Sequence, residues 1–476
     1  MRVSTALIWF RRDLRLHDNP ALSHAAATHD SIIPVYIHTL AEEAPWAPGA
    51  ASRWWLHHSL AALAESLRQH GSRLVIRHQG NSLDELRALC RETGATAVYW
   101  NRLYEPAGIA RDKTIKTALR EDGVQVESFN AALLFEPWSI LKDNGEPFQV
   151  FTRFWQACIR SISPPPPLPI PADCKAPSLW PESLPLEALK LLPRIPWDQG
   201  MATAWRPGEE AALNRLAQFC STILEGYHQT RDYPGVDGVS RLSPHLHFGE
   251  ISPRQIWVAV GNHLQDDPLQ QKAAETYLRE LGWREFAHYV LYHWPHTTDR
   301  PLQERFNGYP WRQDYGELLR AWQQGRTGIP LVDAGMRELW QTGWMHNRVR
   351  MVVASFLTKN YRIPWQEGAR WFWDTLVDAD LANNTLGWQW TAGCGADAAP
   401  YFRIFNPVRQ GEKFDPEGAY IRRWLPELAG LSHQWLHQPW AMPSAERSAL
   451  AYPPPLVNLE TSRTEALQGY ERIRNR

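Results

Sequence analysis

Three segments in the second half of the 476-residue chain combine residue types that can bind a cofactor or a nucleic acid. The first, residues 226–250 (GYHQTRDYPGVDGVSRLSPHLHFGE), places turn residues and serines ahead of a helical pattern. Hydroxyl groups and free backbone N–H groups at a helix entrance suit phosphate binding. An ordinary capped loop has the same composition, so this segment by itself predicts either a phosphate site or a turn.

The second segment, residues 340–365, carries four basic residues and no acidic one. Basic residues interleaved with tryptophan and histidine are typical of nucleic-acid contacts, in which charges meet phosphates and rings meet bases. A core helix with a solvated basic face is the alternative. Asn347 and Arg348 stand where a helix should begin, which would let their side chains project into a cleft.

The third segment, residues 378–390 (DADLANNTLGWQW), is the most polar and follows a strongly aromatic helical pattern. Its two aspartates and two asparagines are costly to bury without partners. A polar loop inside an aromatic shell predicts a cofactor pocket. A surface loop with an Asx-turn is the alternative.

Other catalytic chemistries lack their signatures. The sequence has no GxSxG, P-loop or HExxH motif and no Cys/His cluster at metal-ligand spacing. His245 and His247 lie two residues apart without a third ligand, so we expect ordinary polar histidines and no metal site. The 25 tryptophans instead favour stacking and electron transfer, which need no nucleophile.

The elements that must position these segments fall into two classes. In residues 1–130, short β-rich runs alternate with helical patterns, which predicts an α/β domain with a doubly wound, Rossmann-like parallel sheet. The strands are predicted at 5–10, 31–38, 73–77, 96–100 and 124–129. No GxGxxG follows the first strand, so this domain carries no dinucleotide fingerprint.

Residues 131–205 are rich in proline, above all at 163–171 (SPPPPLPIP), and predict a long, irregular, extended connector. Interspersed Leu, Ile and Trp favour a connector that packs on a surface over a disordered tail. From residue 206 to 476, apolar residues recur at helical spacing, which predicts a second, all-helical domain.

Composition sets further limits. The chain is 44% hydrophobic and 21% charged, as in folded soluble proteins, and its formal charge of −1 rules out a general polycation. No run approaches the roughly 18 apolar residues of a membrane span, and the N-terminus lacks a signal-peptide cleavage site. Five scattered cysteines without a CxxC pair fit a reducing compartment, so we expect a cytoplasmic protein.

Six motifs in a fixed order make the chain recognisable: WFRRDLRLHDNPAL, the segment beginning at Gly226, ELGWREF, MHNRVRM, DADLANNTLGWQW and FRIFNPVRQGEKFDP. The chain resembles the photolyase/cryptochrome family over essentially its whole length, and within it the class I bacterial photolyases of cyclobutane pyrimidine dimers. The resemblance implies non-covalent FAD in the helical domain, beside a pocket for a flipped-out pyrimidine dimer of damaged DNA. It also implies light-driven electron donation from reduced FAD to the dimer.

The resemblance assigns residues to three groups. The expected FAD site comprises Tyr227, Val239, Ser240, Arg241, Leu242, Ser243, Arg350, Asp378, Ala379, Asp380 and Asn384, with Arg350 paired to Asp378 and the Asn384 amide facing flavin N5. The expected substrate and DNA site comprises Arg231, Glu280, Trp283, Arg284, Asn347, Arg348, Met351, Trp390 and Gln410, with Trp283 and Trp390 stacked on the dimer. The expected electron relay to the flavin is Trp388, Trp365 and Trp311.

One departure from the family pattern concerns a second, light-harvesting chromophore. Ala107 and Gly108 stand where folate-using members carry an Asn-Glu pair. An 8-hydroxy-deazaflavin antenna is therefore favoured over methenyltetrahydrofolate, and an empty antenna site is the third possibility.

Three other functions stay open at this level. A cryptochrome photoreceptor shares fold and flavin, but such members commonly extend far beyond the FNPVRQGEKFD motif, and this chain does not. Photolyases of (6-4) photoproducts typically have a histidine pair where this chain has Met345-His346-Asn347. An FAD electron-transfer protein without DNA leaves the basic stretch unexplained. We expect a monomer with no obligate protein partner and no membrane association.

Overall fold

The computed structural model describes residues 4–161, 164–262, 268–398 and 402–474. Its N-terminal part contains strands β1 (Thr5–Phe10), β2 (Ser31–Ile37), β3 (Val75–Arg77), β4 (Ala97–Asn101) and β5 (Gln125–Phe129). Between them lie helices α1 (Pro20–Thr28), α2 (Ala50–Gln69), α3 (Ser82–Thr93) and α4 (Pro106–Glu121). The predicted strand–helix alternation is confirmed, and every strand lies within two residues of its predicted bounds.

The strands form one parallel sheet in the order β3-β2-β1-β4-β5. β1 is wholly buried because both faces of the sheet are covered, which explains its continuous apolar run. One face packs against α3 and α4. The other packs against α1, α2 and residues from the second half of the chain, among them Trp205, Phe248 and Trp344. The two halves therefore share a core.

The proline-rich segment packs against the sheet, as expected. The Ile32 amide donates to the Lys175 carbonyl at 2.8 Å, and the Leu184 amide donates to the Ile76 carbonyl at 3.0 Å. The prediction of an irregular segment throughout 131–205 is wrong, however, because it contains helix α5 (Phe151–Ser161) and helix α6 (Gln199–Ala204). The α5 sequence has no proline and repeats apolar residues at helical spacing. Its apolar face is buried in the helical core.

The remaining chain is helical. Its helices are α7 (Glu209–Gln218), α8 (Tyr227–Thr230), α9 (Ser243–His247), α10 (Pro253–Gly261), α11 (Pro268–His293), α12 (Gly316–Gln323), α13 (Pro330–Thr342), α14 (Asn347–Ser355), α15 (Trp365–Thr375), α16 (Leu381–Ala392), α17 (Pro407–Phe414), α18 (Ala419–Trp424), α19 (His433–Leu436), α20 (Ser444–Ser448) and α21 (Leu459–Arg474). Helix α16 packs against α11, α14 and α15. Within the described ranges, no helix is long and apolar enough to cross a membrane.

Candidate cofactor and substrate site

Helix α16 organises the site because two of its faces have different surroundings. Asp380 caps its N-terminus, since its carboxylate accepts from the Asn383 amide at 2.9 Å. Asn383, Asn384, Gly387 and Trp390 lie on one face and are partly or fully exposed. The residues between them are buried in the helical core. The polar face is thus accessible, while the rest of the helix is packed.

The predicted ion pair between Arg350 and Asp378 is present. The Arg350 guanidinium donates to both carboxylate oxygens, at 2.8 and 3.1 Å, and also to the Met345 carbonyl at 2.7 Å. The Ser243 hydroxyl donates to the same carboxylate at 2.6 Å. This network joins α9, α14 and the loop before α16, and Asp378 is 8% exposed. The surface-loop alternative for residues 378–390 is therefore excluded.

Asp380 lies between two histidines. Its Oδ2 atom is 3.5 Å from His247 Nδ1 and 3.5 Å from His288 Nε2. Burial alone would raise the pKa of Asp380, but the two histidines, His288 above all, hold it well below its ordinary value. A carboxylate is thus kept charged at the inner end of the open face.

The Asn384 side chain has a fixed orientation. Its Nδ2 atom donates to the Ala369 carbonyl of α15 at 3.0 Å, and a carbonyl can only accept. An exchange of the donor and acceptor ends of the amide would therefore sacrifice this hydrogen bond. The Oδ1 atom and the second amide hydrogen stay available to a ligand.

The serine-containing loop is held from behind by Arg215. Its guanidinium donates to the Ser240 and Val239 carbonyls, each at 2.8 Å. These bonds use the loop's carbonyl groups, and the Leu242 amide donates to the Ser240 hydroxyl at 3.4 Å, so the N–H groups of residues 239–241 are the ones that could face a ligand. Leu242 is 1% exposed, so its side chain belongs to the core.

Arg241 fits an anionic ligand. Its backbone adopts a φ of +53°, and its guanidinium lies 4.9 Å from the Trp344 ring. Its Nε atom is buried and has no partner among the described residues. An orphaned cationic donor beside free backbone N–H groups is the donor set that the phosphates of FAD require. Tyr227 closes this side of the site, buried against Tyr277 at 5.2 Å between ring centroids.

The predicted DNA-side arginines are paired with carboxylates. Arg231 donates to Glu280 at 2.7 Å, and Arg348 lies 2.8 Å from Asp232. The Arg348 guanidinium also covers the Phe414 ring at 4.3 Å. The turn after α8 is therefore tied to α11 on one side and to α14 on the other.

The predicted pocket residues are accessible at this rim. Asn347, the first residue of α14, is exposed, while Met351 and Trp390 are partly buried. Trp283 stacks on Phe151 with ring centroids 3.9 Å apart and planes 10° apart. Phe151 thus fixes the Trp283 ring while leaving it part-exposed.

Arg284 and Gln410, which are also predicted to contact DNA, differ from the two arginines above in not being paired with a carboxylate of a distant segment. Arg284 donates to the Ala132 carbonyl at 2.8 Å and pairs with Glu285, and its side chain is 12% exposed. It anchors the segment after β5 rather than extending freely into solvent. Gln410 is partly buried, and its Oε1 atom has no partner in the part of the chain that the structure describes.

The predicted relay residues form a graded series. Trp388 and Trp365 are each 2% exposed, and Trp311 is partly exposed. Trp388 lies against Gly368, one helical turn from Trp365, so closely that a Cβ atom on Gly368 would come within 2.0 Å of the ring. Trp365 and Trp311 line the same cavity. The series runs from the core towards the surface.

The four basic residues of the stretch 340–365 are bound to other parts of the chain. Arg348, Arg350 and Arg362 pair with acidic residues from elsewhere in the chain. Lys359 is 1% exposed and donates to the Ala392 carbonyl, so it caps the C-terminus of α16. Local charge is thus largely neutralised within the protein, and the interpretation of this stretch as a nucleic-acid contact stays a prediction.

Sequence reasoning missed several residues that shape the site. Asp232 directly follows Arg231, and its position beside a predicted DNA-binding arginine could have indicated an ion pair at the site. His247 stood in a motif but was expected to be an ordinary polar histidine. No signal pointed to Phe151 or to the Ala369 carbonyl, because each comes from a distant segment. Within the described ranges, no three His, Cys, Asp or Glu side chains are grouped so that they could hold a metal ion.

A second cleft lies at the carboxyl ends of β1 and β2. Its lining includes Trp9, Arg11, Arg12 and Arg111 from the sheet domain and Ala379 from the loop before α16. Arg12 forms a two-pronged ion pair with Glu105. Because Ala379 borders both sites, this cleft and the α16 site are neighbours.

Family models match both halves of the chain. Residues 6–172 match the model described as DNA photolyase, and residues 277–472 match the FAD binding domain of DNA photolyase. The parallel-sheet domain and the helical domain therefore define a two-domain flavoprotein. The chain belongs to the photolyase/cryptochrome family.

Relatives within the family include both functional branches. The chain is 44% identical to a deoxyribodipyrimidine photo-lyase of Agrobacterium fabrum, over 100% of this chain and 99% of the relative. It is 41% identical to Cryptochrome-2 of Arabidopsis thaliana, over 98% of this chain and 79% of that protein. The crystal structure of a class III photolyase from Agrobacterium tumefaciens superposes with a TM-score of 0.94 at 44% identity, covering 100% of this chain and 99% of that one. The predicted resemblance to class I photolyases is corrected by this comparison, because the similar structure is that of a class III photolyase.

Proposed function

We propose that the protein repairs cyclobutane pyrimidine dimers in DNA by light-driven electron transfer from reduced FAD. The observation that carries the proposal is that α16 presents two accessible side chains six residues apart, Asn384 and Trp390. The first is expected to face the cofactor and the second the substrate. Photolyases and cryptochromes would share the residues that bind the cofactor. The residues that face the substrate therefore decide which function the protein has.

When bound, FAD supplies the light-absorbing, electron-donating chemistry. The protein would hold its phosphates with Arg241 and the N–H groups of residues 239–241 and 243. Ser243, Asp378 and Arg350 form a fixed network beside it, while Asn384 presents its remaining amide groups to the ring. The charged Asp380 would complete the polar side of the site.

On the substrate side, Trp283 and Trp390 would stack on a dimer flipped out of the duplex. Glu280, Asn347 and Met351 would line its pocket. Arg231, Arg348, Arg284 and Gln410 would contact the DNA around it, and the first two would exchange their carboxylate partners for phosphates. Trp388, Trp365 and Trp311 would carry electrons inward when the cofactor is oxidised.

The test is a repair assay with pre-reduced protein under blue light, run on DNA containing cyclobutane dimers and on DNA containing (6-4) photoproducts. We expect restoration of the cyclobutane dimers alone and none in the dark. Reduced, flavin-loaded protein that restores neither lesion would overturn the proposal and leave the photoreceptor function.

The photoreceptor alternative is favoured by the 41% identity to a cryptochrome. The (6-4) alternative is disfavoured by His346. Its Nδ1 atom accepts from the Arg348 amide at 3.2 Å and caps α14, and the side chain is 2% exposed. The Nδ1 atom is thereby committed to the helix terminus, and only Nε2 lacks a partner among the described residues.

The cleft beside β1 and β2 is the proposed place of a second chromophore. Arg11 and Arg111 lie against the fully buried Trp9 ring, and the cleft's arginines, which are paired with carboxylates, would have to share their donors with a chromophore. We retain the 8-hydroxy-deazaflavin over methenyltetrahydrofolate, with an empty cleft as the third outcome. Mass spectrometry of the chromophores released from purified protein decides among the three. We further propose a cytoplasmic monomer without an obligate protein partner, which light scattering of the purified protein tests.

A further inference from the structure

A cavity of about 410 Å³ opens beside the outer part of the proposed relay. Its walls include the rings of Trp46, Phe306, Trp311 and Trp365. Its volume falls within the roughly 300–1,000 Å³ typical of small-molecule sites. Because both tryptophans of the outer relay line the cavity, no further layer of protein separates its contents from those rings.

The lining has the composition of a ligand site rather than of a packing gap. Aromatic walls are combined with a few polar groups, among them Asn307 and Gln366. The Gln366 Nε2 atom donates to the Asp299 carbonyl at 3.0 Å, which fixes the amide. Its Oε1 atom is buried without a partner among the described residues, so it is an acceptor that a hydroxyl group could satisfy.

The charges of the lining select against anions. The charged lining residues are Asp299, Glu367 and Arg370. Arg370 is already paired with Glu367 at 2.8 Å, which leaves the exposed Asp299 as the unbalanced charge. A negative rim repels an anionic reductant such as ascorbate and tolerates an uncharged one.

We propose that this cavity binds a small, planar, uncharged reductant of the hydroquinone class, which returns an electron to Trp311. The ring would stack within the aromatic walls, and one hydroxyl would donate to Gln366 Oε1. The electron-donating role, though not the site, rests on the relay proposed above.

The step balances in atoms and electrons. The Trp311 radical cation, left after an electron has moved inward, takes one electron from the hydroquinone and becomes neutral indole. The hydroquinone O–H bond breaks, its proton passes to water at the cavity mouth, and a neutral semiquinone radical of the reductant departs. Two such radicals disproportionate to one hydroquinone and one quinone.

The site is tested in the dark with flavin-loaded protein and hydroquinone itself, by saturation-transfer NMR. Asn307→Trp places a large ring at the cavity mouth and leaves the relay tryptophans intact. Asn144→Trp makes the same change at an exposed turn that does not line the cavity. We expect saturable binding to the wild type and to Asn144→Trp, and at least about tenfold weaker binding to Asn307→Trp. Absence of saturable binding to the wild type, or unchanged binding to Asn307→Trp, overturns the site.

The role is tested by flash photolysis of the oxidised protein. We expect the decay rate of the tryptophan radical to saturate with hydroquinone and to rise linearly with ascorbate, and Asp299→Asn to speed the ascorbate reaction about twofold. A linear hydroquinone dependence despite dark binding overturns the role. If Trp311→Phe leaves the long-lived radical unchanged, the relay and the role both fail, while the NMR result still decides the site.

Discussion

Helix α16 presents surfaces of opposite character to two regions of the molecule. On the substrate side, Gly387 and Trp390 are accessible. Asn384 lies between the two surfaces, since it donates to the carbonyl of Ala369, the neighbour of Gly368 on α15. On the relay side, Trp388 is packed against Gly368 and Phe372, with 5.0 Å between the Trp388 and Phe372 ring centroids. The first surface is accessible to a ligand, and the second is closed by packing around Trp388.

This contrast matches the physical needs of the two proposed electron paths. A ligand that must enter and leave needs an open cavity with polar groups at fixed positions. A chain of oxidisable rings needs close packing and few charges along the way. One helix can serve both because its side chains alternate between faces at helical spacing. The two regions should therefore respond separately to substitution.

The largest expected difference between photoreduction and repair follows from a substitution in the proposed relay. Trp388→Phe should slow photoreduction of oxidised FAD by at least about a hundredfold, equivalent to roughly 3 kcal/mol in the barrier, because a phenyl ring is much harder to oxidise than an indole. Repair by pre-reduced protein should be unchanged. The measurements are flavin bleaching under blue light and dimer repair by chemically reduced protein.

Trp322→Phe is the matched control for this substitution. Trp322 is fully buried, and its ring centroid lies 6.2 Å from that of Trp388, but it is outside the proposed relay. Its replacement should leave photoreduction nearly unchanged. Equal loss of photoreduction and repair in Trp388→Phe would refute the separation of the two sides.

The second expected effect is a loss of folding stability in acid, caused by His346 at the start of α14. Burial lowers the pKa of His346 to about 4, and Nδ1 must be unprotonated to accept from the Arg348 amide. The unfolded chain therefore binds this proton more tightly, and the fold loses up to roughly 3 kcal/mol as pH falls from about 6.5 to about 4. His346→Asn, which retains a capping side chain, should remove that part of the pH dependence.

Denaturant titrations at pH 7 and pH 4.5 measure the effect. His433→Asn replaces an exposed histidine and should keep the wild-type pH dependence. If both variants lose stability with acid as the wild type does, His346 is not the responsible group.

The third test compares two glycines that face the two regions. Gly368→Ala would push a methyl group into the Trp388 ring and should lower the free energy of unfolding by about 2 kcal/mol. Gly387→Ala lies on the open face of α16, where a Cβ atom meets nothing within 4 Å, and should be neutral or stabilising by up to about 1 kcal/mol. Denaturation of flavin-free protein measures both. Similar losses in the two variants would contradict the proposed difference in packing.

How far the sequence predicts these regions depends on the range of the interactions. The strands were predicted closely because each is a local apolar run bounded by turns. The start of α14 at Asn347 was also predicted from local sequence. Helix α5 was missed because proline density dominated its surroundings. Pairings such as Asp232–Arg348 and Phe151–Trp283 join segments more than a hundred residues apart, and no local pattern encodes them. The resemblance named the site residues and the Arg350–Asp378 pair, but not the other partners that hold them.

The smallest expected effect is on lesion binding. Trp390→Ala removes one of the two proposed stacking rings and should weaken binding of dimer-containing DNA about tenfold, near the lower end of the stacking range, because Trp283 stays in place against Phe151. Photoreduction should be unchanged, since Trp388 faces the other side of α16. Trp340→Ala, at an exposed ring stacked on Trp371 outside the site, is the control and should bind as the wild type does. Equilibrium binding to labelled duplexes measures the three proteins. If Trp390→Ala slows photoreduction while lesion binding is retained, Trp390 belongs to the relay side, and the division of α16 between two functions is wrong.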